Sequence, residues 1–442
     1  MELLQAATAP GAFHNSLERF DPPKCHPHTR EAVRKKILEW ITKKIDTDAL
    51  VLWVYGAAGA GKSAIAQTIA EICDELKLLL ACFFFSRSAP LRCTSKHLFA
   101  SIAYQMVQAI PAIRGFVESA VERNPLIFQQ SLEHQYLTLI VDPLLSLLTT
   151  GINQQLLLPS LIIIDGLDEC TDGTRDEIIN IVLRVTRRFT LPLLFLFASR
   201  PEQDISLAMD PAKVGTDVTR TALDTEYGSD DDIEFYLRDK ISEIREKHPL
   251  RSTLPPAWPS DEDICMLVQK SSGQFVYAAT SVKYISSRRH RPTVRLNIIV
   301  GVLLPGPSDL PFAELDALYR FIIHSADDVQ LTVRLLVTIC IVKGTVSAML
   351  LDLILSLDPG DSMLNLSDLG SLVSTIDNEG GTFFRILHVS LYDFLVDPTR
   401  SGTLYMDPGI VRADVVRRCL HLLQRGTYPG GCISVLSVHQ LS

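Results

Sequence analysis

Gly56-Ala57-Ala58-Gly59-Ala60-Gly61-Lys62-Ser63 decides how this chain is read. The octet is a full match to G-x-x-x-x-G-K-[ST], a loop whose backbone N–H groups wrap around phosphate oxygens. Leu50-Val51-Leu52-Trp53-Val54-Tyr55 precedes it, apolar and partly β-branched, which predicts a buried parallel strand. Residues 64–72 follow, rich in helix formers, with Ile65, Ile69 and Ile72 on one face. Strand, glycine loop and helix are the context the pattern requires. The glycines let N–H groups turn inward, and the helix N-terminus adds partial positive charge. Gly56, Gly59, Ala60, Gly61 and Ala64 are therefore expected to cradle a nucleotide. Lys62 would reach its β- and γ-phosphates, and the Ser63 hydroxyl would ligate Mg²⁺.

Moving outward, Leu78-Leu79-Leu80-Ala81-Cys82-Phe83-Phe84-Phe85 reads as a second buried strand, ending at Ser86-Arg87. Helices are expected over 95–110, 113–121, 132–148 and 175–189, and an N-terminal one over 30–41 capped by Thr29. Leu161-Ile162-Ile163-Ile164-Asp165 is a third strand closing on an acid, and residues 193–198 a fourth, followed by Ser199-Arg200-Pro201. Residues 218–223 make a fifth. Strands alternating with helices predict a doubly wound, mostly parallel α/β sheet, whose ligands bind beyond the strands' carboxyl ends. The phosphate loop, Asp165 and Arg200 all fall at such ends.

Triphosphate hydrolysis needs a metal, a positioned water and charge compensation on the γ-phosphoryl group. Asp165 is the natural carboxylate to share Mg²⁺ with Ser63. Asp168 and Glu169 place a second acid where a water-orienting base would sit, although both residue types also favour helix N-termini. Arg200 can contact the γ-phosphate or form an ordinary surface ion pair; Arg87 is a weaker candidate for the same task.

After residue 228 the strand–helix alternation stops. Asp230-Asp231-Asp232 opens a helix to about residue 247, where carboxylates suit the helix dipole better than a cation site. Ser260-Asp261-Glu262-Asp263 starts another in capping-box fashion. Helices over 311–324 and 329–342 lead to an apparent hairpin, 372–376 and 382–387, and then to a helix through 391–395.

The chain has 442 residues, 47% hydrophobic and 21% charged, enough for about two to four packed units. A net charge of −9 argues against nucleic acid or acidic membrane as partner. The longest apolar runs, near 156–164 and 191–198, fall far short of the ~18 residues of a membrane span. The first residues lack a basic segment with an apolar core, so no secretory leader is read. Nine scattered cysteines without a C-x-x-C pair suit a reducing compartment, the cytoplasm by default. Cys25, His26 and His28 lack zinc-site spacing.

Residues 161–169 resemble the extended acidic motif of NACHT domains, a clade of the STAND class of P-loop switch NTPases, and Phe197-Ala198-Ser199-Arg200-Pro201 resembles their sensor strand. The likeness is closest to fungal NACHT proteins with a nephrocystin-3-like N-terminal domain. Pro22-Pro23-Lys24-Cys25-His26-Pro27, Phe83-Phe84-Phe85-Ser86-Arg87-Ser88 and His388-Val389-Ser390-Leu391-Tyr392-Asp393-Phe394 carry it further. It implies a P-loop NTPase (NACHT) domain over 31–227 after a lead-in at 1–30. A helical domain over 228–291, a winged-helix domain over 292–400 and a helical remnant over 401–442 would follow. The resemblance implies that His388 reaches the β-phosphate of ADP; by itself the residue reads as a core histidine at a strand-to-helix turn. Gly273-Gln274-Phe275 is similar to the family's Gly-x-Pro turn beside adenine, with Phe275 in the proline position.

The expected function is a slow nucleoside-triphosphate hydrolase acting as a switch. ADP closes it and ATP opens it, with GTP the alternative nucleotide and Mg²⁺ the cation. Partners would be other protein chains, including copies of itself in the ATP state. The competing readings are a nucleotide-locked scaffold and a housekeeping phosphotransferase. STAND proteins usually add an effector before and a repeat array after this region, so the expectation is either that both ends are missing from this sequence or that the ligand sensor lies in another chain.

Overall fold

The computed structural model describes residues 1–19, 22–87, 89–149, 160–223, 229–288, 290–302, 312–324, 326–342, 345–370, 372–378, 381–387 and 389–425. The chain forms two compact units, one of Met1–Gly56 with Gly61–Tyr227 and the other of Ala57–Ala60 with Gly228–Ser442.

The first unit is built on a five-stranded sheet of β1 (Val51–Tyr55), β2 (Leu79–Phe84), β3 (Leu161–Asp165), β4 (Leu194–Ser199) and β5 (Val218–Ala222). All pairings are parallel and the order is β2-β3-β4-β1-β5, so the acid-ended strand lies one strand away from the loop-bearing strand. The register sets Tyr55 beside Ser199, and Asp165 beside both Phe84 and Ala198. One edge of the sheet thus gathers the residues singled out from the sequence.

β2, β3 and β4 are buried along their whole length, as unbroken apolar runs require when both faces are covered. On one face Trp53, Phe83, Ile164, Phe195 and Phe197 share a core with Phe99 and Ile102 of the helix Leu98–Ala109 and with Ile178 and Val182 of the helix Arg175–Phe189. Fully burying one such side chain contributes about 1.5–3 kcal/mol. The region expected as one helix from 132 to 148 runs as Leu132–Tyr136, a π turn over Leu137–Val141 and Asp142–Thr149. Pro143 has no N–H for the regular ladder, and the wider turn just before it accommodates that loss.

The helix expected over 30–41 begins at Glu31, and its cap position is Arg30, at φ 56°. Thr29 is not the cap: its hydroxyl donates to the His26 carbonyl at 2.7 Å. Residues before it are packed rather than trailing. Leu4, Ala9 and Ala12 are buried in the sheet core, and the Ala9 N–H donates to Ser101 Oγ at 2.9 Å.

In the second unit the helices Ser229–Lys247, Asp261–Ser271, Phe275–Ile285 and Pro292–Val300 close around Ile233, Leu237, Ile264, Leu267, Ala278 and Leu296. The capping box at Ser260 and Asp263 is present, each side chain accepting from the other's backbone N–H. A second core joins the helices Ala313–His324, Val329–Val342, Ala348–Leu355, Asp361–Leu366 and Val389–Leu395 through Tyr319, Leu336, Leu351, Phe384 and Phe394. Its sheet is antiparallel: β6 (Val346–Ser347), β7 (Val373–Asn378) and β8 (Gly381–Ile386), in the order β6-β8-β7. The β7–β8 pair is the hairpin expected from the sequence. The chain order helix, strand, helix, helix, strand, strand runs from Val329 to Ile386. Within this unit the Val276 N–H donates to the Gly59 carbonyl at 3.3 Å, and a Cβ added at Gly59 would lie 2.3 Å from Val276 Cγ1.

Candidate functional site

The loop turns where its glycines permit it. Gly59 and Gly61 have φ of +79° and +93°, a region that side chains with a Cβ disfavour. Gly61 caps the helix Lys62–Glu75 with no side-chain hydrogen bond, which leaves the first N–H groups to be met by something other than a cap residue. Lys62 Nζ donates to the Gly56 carbonyl at 2.8 Å. Burial pulls the Lys62 ammonium down to about 8, with Arg200 pushing the same way, against the opposing pull of Asp168, Asp165 and Glu169. Three carboxylates and one arginine therefore act on the lysine that the motif predicted to grip phosphate.

Asp165 closes β3 and is 4% exposed. The buried Oδ1 has no hydrogen-bond partner. Burial pushes this carboxyl up to about 7; the nearby Ser63 hydroxyl opposes that, while Glu169 and Asp168 reinforce it. An orphaned, buried carboxylate oxygen next to a hydroxyl is a hard-oxygen donor set, and it fits Mg²⁺.

Gly166 turns the chain after the strand at φ +68°, and a Cβ there would lie 3.3 Å from the Phe85 carbonyl. The turn leads into one 3₁₀ turn, Leu167–Glu169, so Asp168 and Glu169 are not at the N-terminus of a long helix. Asp168 is buried and held by Arg200. Its Oδ1 accepts the Arg200 N–H at 3.0 Å, and its Oδ2 lies 3.2 Å from Arg200 Nε. Glu169 Oε2 accepts the Arg87 N–H at 3.2 Å, and burial together with the Asp168 charge raises its carboxyl. The Arg87 guanidinium donates to the Asp168 carbonyl at 2.7 Å and lies 3.5 Å from Glu202. Arg175 donates to Glu202 as well.

The structure thus brings together Lys62, Ser63, Asp165, Asp168, Glu169 and Arg200, with Arg87 joining them. It gives Arg200 a carboxylate partner within the chain, an ion pair like the alternative the sequence left open beside a γ-phosphate contact, but with a buried partner rather than at the surface. Glu202 and Arg175 had no sequence signal. Neither belongs to a motif, and their role depends on how the loop after β4 folds back. His388 lies outside the described residues. Near it in sequence, Ser390 Oγ and Tyr319 Oη are 2.7 Å apart. Gly273 has φ +74°, and Phe275 begins the helix Phe275–Ile285 with its ring 6.0 Å from that of Tyr236. His28 pairs with Glu31 and His26 Nδ1 contacts the Pro27 carbonyl.

Residues 31–200 match the family model described as Nephrocystin 3, N-terminal, which is less than half of the 442-residue chain. No curated protein matches the sequence significantly. Among solved structures, the chain is similar to a Walker-type ATPase of Pyrococcus abyssi, at 12% identity and a TM-score of 0.49, over 84% of this chain and 97% of that one. It is also similar to Cdc6p of Pyrobaculum aerophilum, at 12% identity and a TM-score of 0.36, over 91% and 97% of the two chains. RuvB of Thermotoga maritima follows at 13% identity and a TM-score of 0.33, over 82% and 93%. The sheet, the loop and the family match define a P-loop NTPase core, a nucleotide-binding fold. Among the described residues no helix is long and apolar enough to cross a membrane.

Proposed function

We propose that this protein is a nucleotide-dependent switch of the NACHT type, in the STAND class: ADP holds its closed state, ATP its open state, and slow hydrolysis resets it. The observation that carries the nucleotide site is the buried Asp165 Oδ1 without a partner, at the end of β3 and on the sheet edge where the glycine loop leads into the helix of Lys62 and Ser63. Lys62 would leave the Gly56 carbonyl for the β- and γ-phosphates, exchanging a neutral acceptor for an anionic one, a stronger hydrogen bond. The backbone N–H groups from Gly59 to Ala64 would take the remaining phosphate oxygens. Ser63 and Asp165 would hold Mg²⁺, which when bound neutralises phosphate charge. Glu169, held through the Arg87 backbone N–H, would orient the attacking water, and Asp168 would keep Arg200 at the site's rim.

A switch needs a ligand that binds its two states with different strength, and a γ-phosphate is such a ligand. The helix–strand–helix–helix–hairpin order from Val329 to Ile386 supports reading this stretch as a winged-helix domain. His388, directly after that hairpin, is our candidate for the β-phosphate contact of the ADP state. The purified chain should bind a fluorescent ADP analogue with Mg²⁺, and Lys62→Ala should lose that binding. Equal binding by both proteins would overturn the assignment of the loop.

A further inference from the structure

The N-terminal stretch reaches toward the nucleotide site through one half-buried cation, Arg19. The Arg19 guanidinium lies 3.6 Å over the ring of Phe84, the residue that pairs with Asp165 across β2 and β3. Its Nη1 donates to Gln67 Oε1 at 2.7 Å, and Gln67 stands one helical turn beyond Ser63. Gln67 is completely buried, and its amide donates to the His14 carbonyl at 3.0 Å and to Glu71 at 2.7 Å. Lys24 pairs with the same Glu71 at 2.8 Å, and the Cys25 N–H donates to Thr68 Oγ1 at 3.0 Å. Three successive positions of the stretch, His14, Arg19 and Lys24–Cys25, are therefore tied to the helix that carries Lys62 and Ser63. Burial lowers the basicity of Arg19, and the carboxylate that most supports its charge is Asp165.

We propose that Arg19 is a built-in counter-cation to Asp165, a positioning residue that competes with Mg²⁺, and that filling the site with a magnesium nucleotide loosens residues 9–19. The inference rests on the nucleotide site proposed above. Asp165 has an oxygen without a partner in a buried setting, so any nearby positive charge stabilises it. Arg19 supplies that charge from the protein. A divalent cation on the same carboxylate removes the need for Arg19 and repels it. Coupling of this kind is reciprocal: by whatever factor Arg19 weakens the cation, the cation weakens the hold on Arg19. Those residues are anchored by hydrogen bonds to Gln67, Ser101 and Cys82, so the loosening acts on a defined segment.

The test uses the full chain saturated with a fluorescent ADP analogue. Mg²⁺ is titrated into wild type, Arg19→Met and Arg19→Lys, and hydrogen exchange of peptides covering residues 9–19 is followed with and without Mg²⁺. Arg19→Met should lower the half-saturating Mg²⁺ concentration by about three- to tenfold, as expected for removing one partly screened charge. Arg19→Lys, which keeps the charge, should stay within about twofold of wild type, and wild-type exchange over 9–19 should speed up on adding Mg²⁺. An unchanged or weaker Mg²⁺ affinity in Arg19→Met would overturn the proposal. If that variant does not fold, the wild-type exchange alone decides, and slower exchange with Mg²⁺ overturns it. A wild type that binds no nucleotide contradicts the site itself. A wild type that binds normally beside an unaltered Arg19→Met contradicts only the role of Arg19.

Discussion

Arg200 grips Asp168 from two sides, its backbone N–H on Oδ1 at 3.0 Å and its Nε 3.2 Å from Oδ2. Asp168 is 3% exposed, so its carboxylate is paired by this arginine inside the protein, while Arg87 holds its backbone carbonyl. The pair fixes the turn after β3, and with it the position of Glu169.

Removing one member of a buried pair leaves the other uncompensated. Arg200→Ala should therefore cost about 3 kcal/mol of stability, and Asp168→Asn a comparable amount. The double variant Asp168→Asn/Arg200→Ala should lose clearly less than the sum. Urea denaturation of the four proteins measures the coupling, and strict additivity would show that the pair does not act as a unit.

Asp165 sets a pH dependence whose sign is fixed. Its folded-state pKa is about 7 against an ordinary 3.8, so between those values the native state binds more protons than the unfolded state. Its contribution to stability in the absence of ligand therefore falls as pH rises through that window. Asp165→Asn should flatten the stability–pH curve of the ligand-free protein there. At pH 7.5 the variant should be more stable than wild type by on the order of 2 kcal/mol, while losing Mg²⁺-dependent nucleotide binding. Thermal melts from pH 5 to 8 test this. A variant less stable than wild type at pH 7.5 would refute it.

Gly166 must hold φ +68° with the Phe85 carbonyl close by. Gly166→Ala should cost about 1–2 kcal/mol from left-handed strain, and should displace the Asp168–Glu169 turn. Chemical denaturation gives the first effect, and loss of nucleotide hydrolysis at retained binding gives the second.

In the second unit Asp316 accepts two bonds from Arg400, at 3.2 Å from Nε and 2.6 Å from Nη2, between the rings of Phe312 and Phe394. Asp316→Ala should destabilise this unit by about 3–5 kcal/mol. Protease susceptibility of the region from 313 to 425 should rise accordingly, and unchanged cleavage would contradict the role given to the pair.

The nucleotide core was legible because its signals are local. The octet at Gly56–Ser63, the run into Asp165 and the stretch Phe195–Arg200 each carry strand, turn and chemistry within a few residues. The helices Arg175–Phe189 and Val329–Val342 show their periodicity plainly. The contacts that pack the N-terminal stretch onto the sheet unit are distant in sequence. Arg19 reaches Gln67 across 48 residues, and Ala9 reaches Ser101 across 92. No periodicity records such pairs, so the N-terminal stretch read as a polar lead-in. Thr29 looked like a cap because its hydroxyl suits one, but a bond to the His26 carbonyl took it first. Arg200 looked available for a ligand since nothing in the sequence shows that Asp168 folds back onto it.

The central claim is that the loop holds a nucleotide as the latch of a switch, and nucleotide extraction tests it most directly. Protein purified by chromatography is denatured, and the released nucleotide is identified by base and phosphate number. The account predicts ADP at close to one per chain from wild type, and none from Lys62→Ala. No nucleotide from wild type, with no ATP binding by the refolded protein, would contradict it.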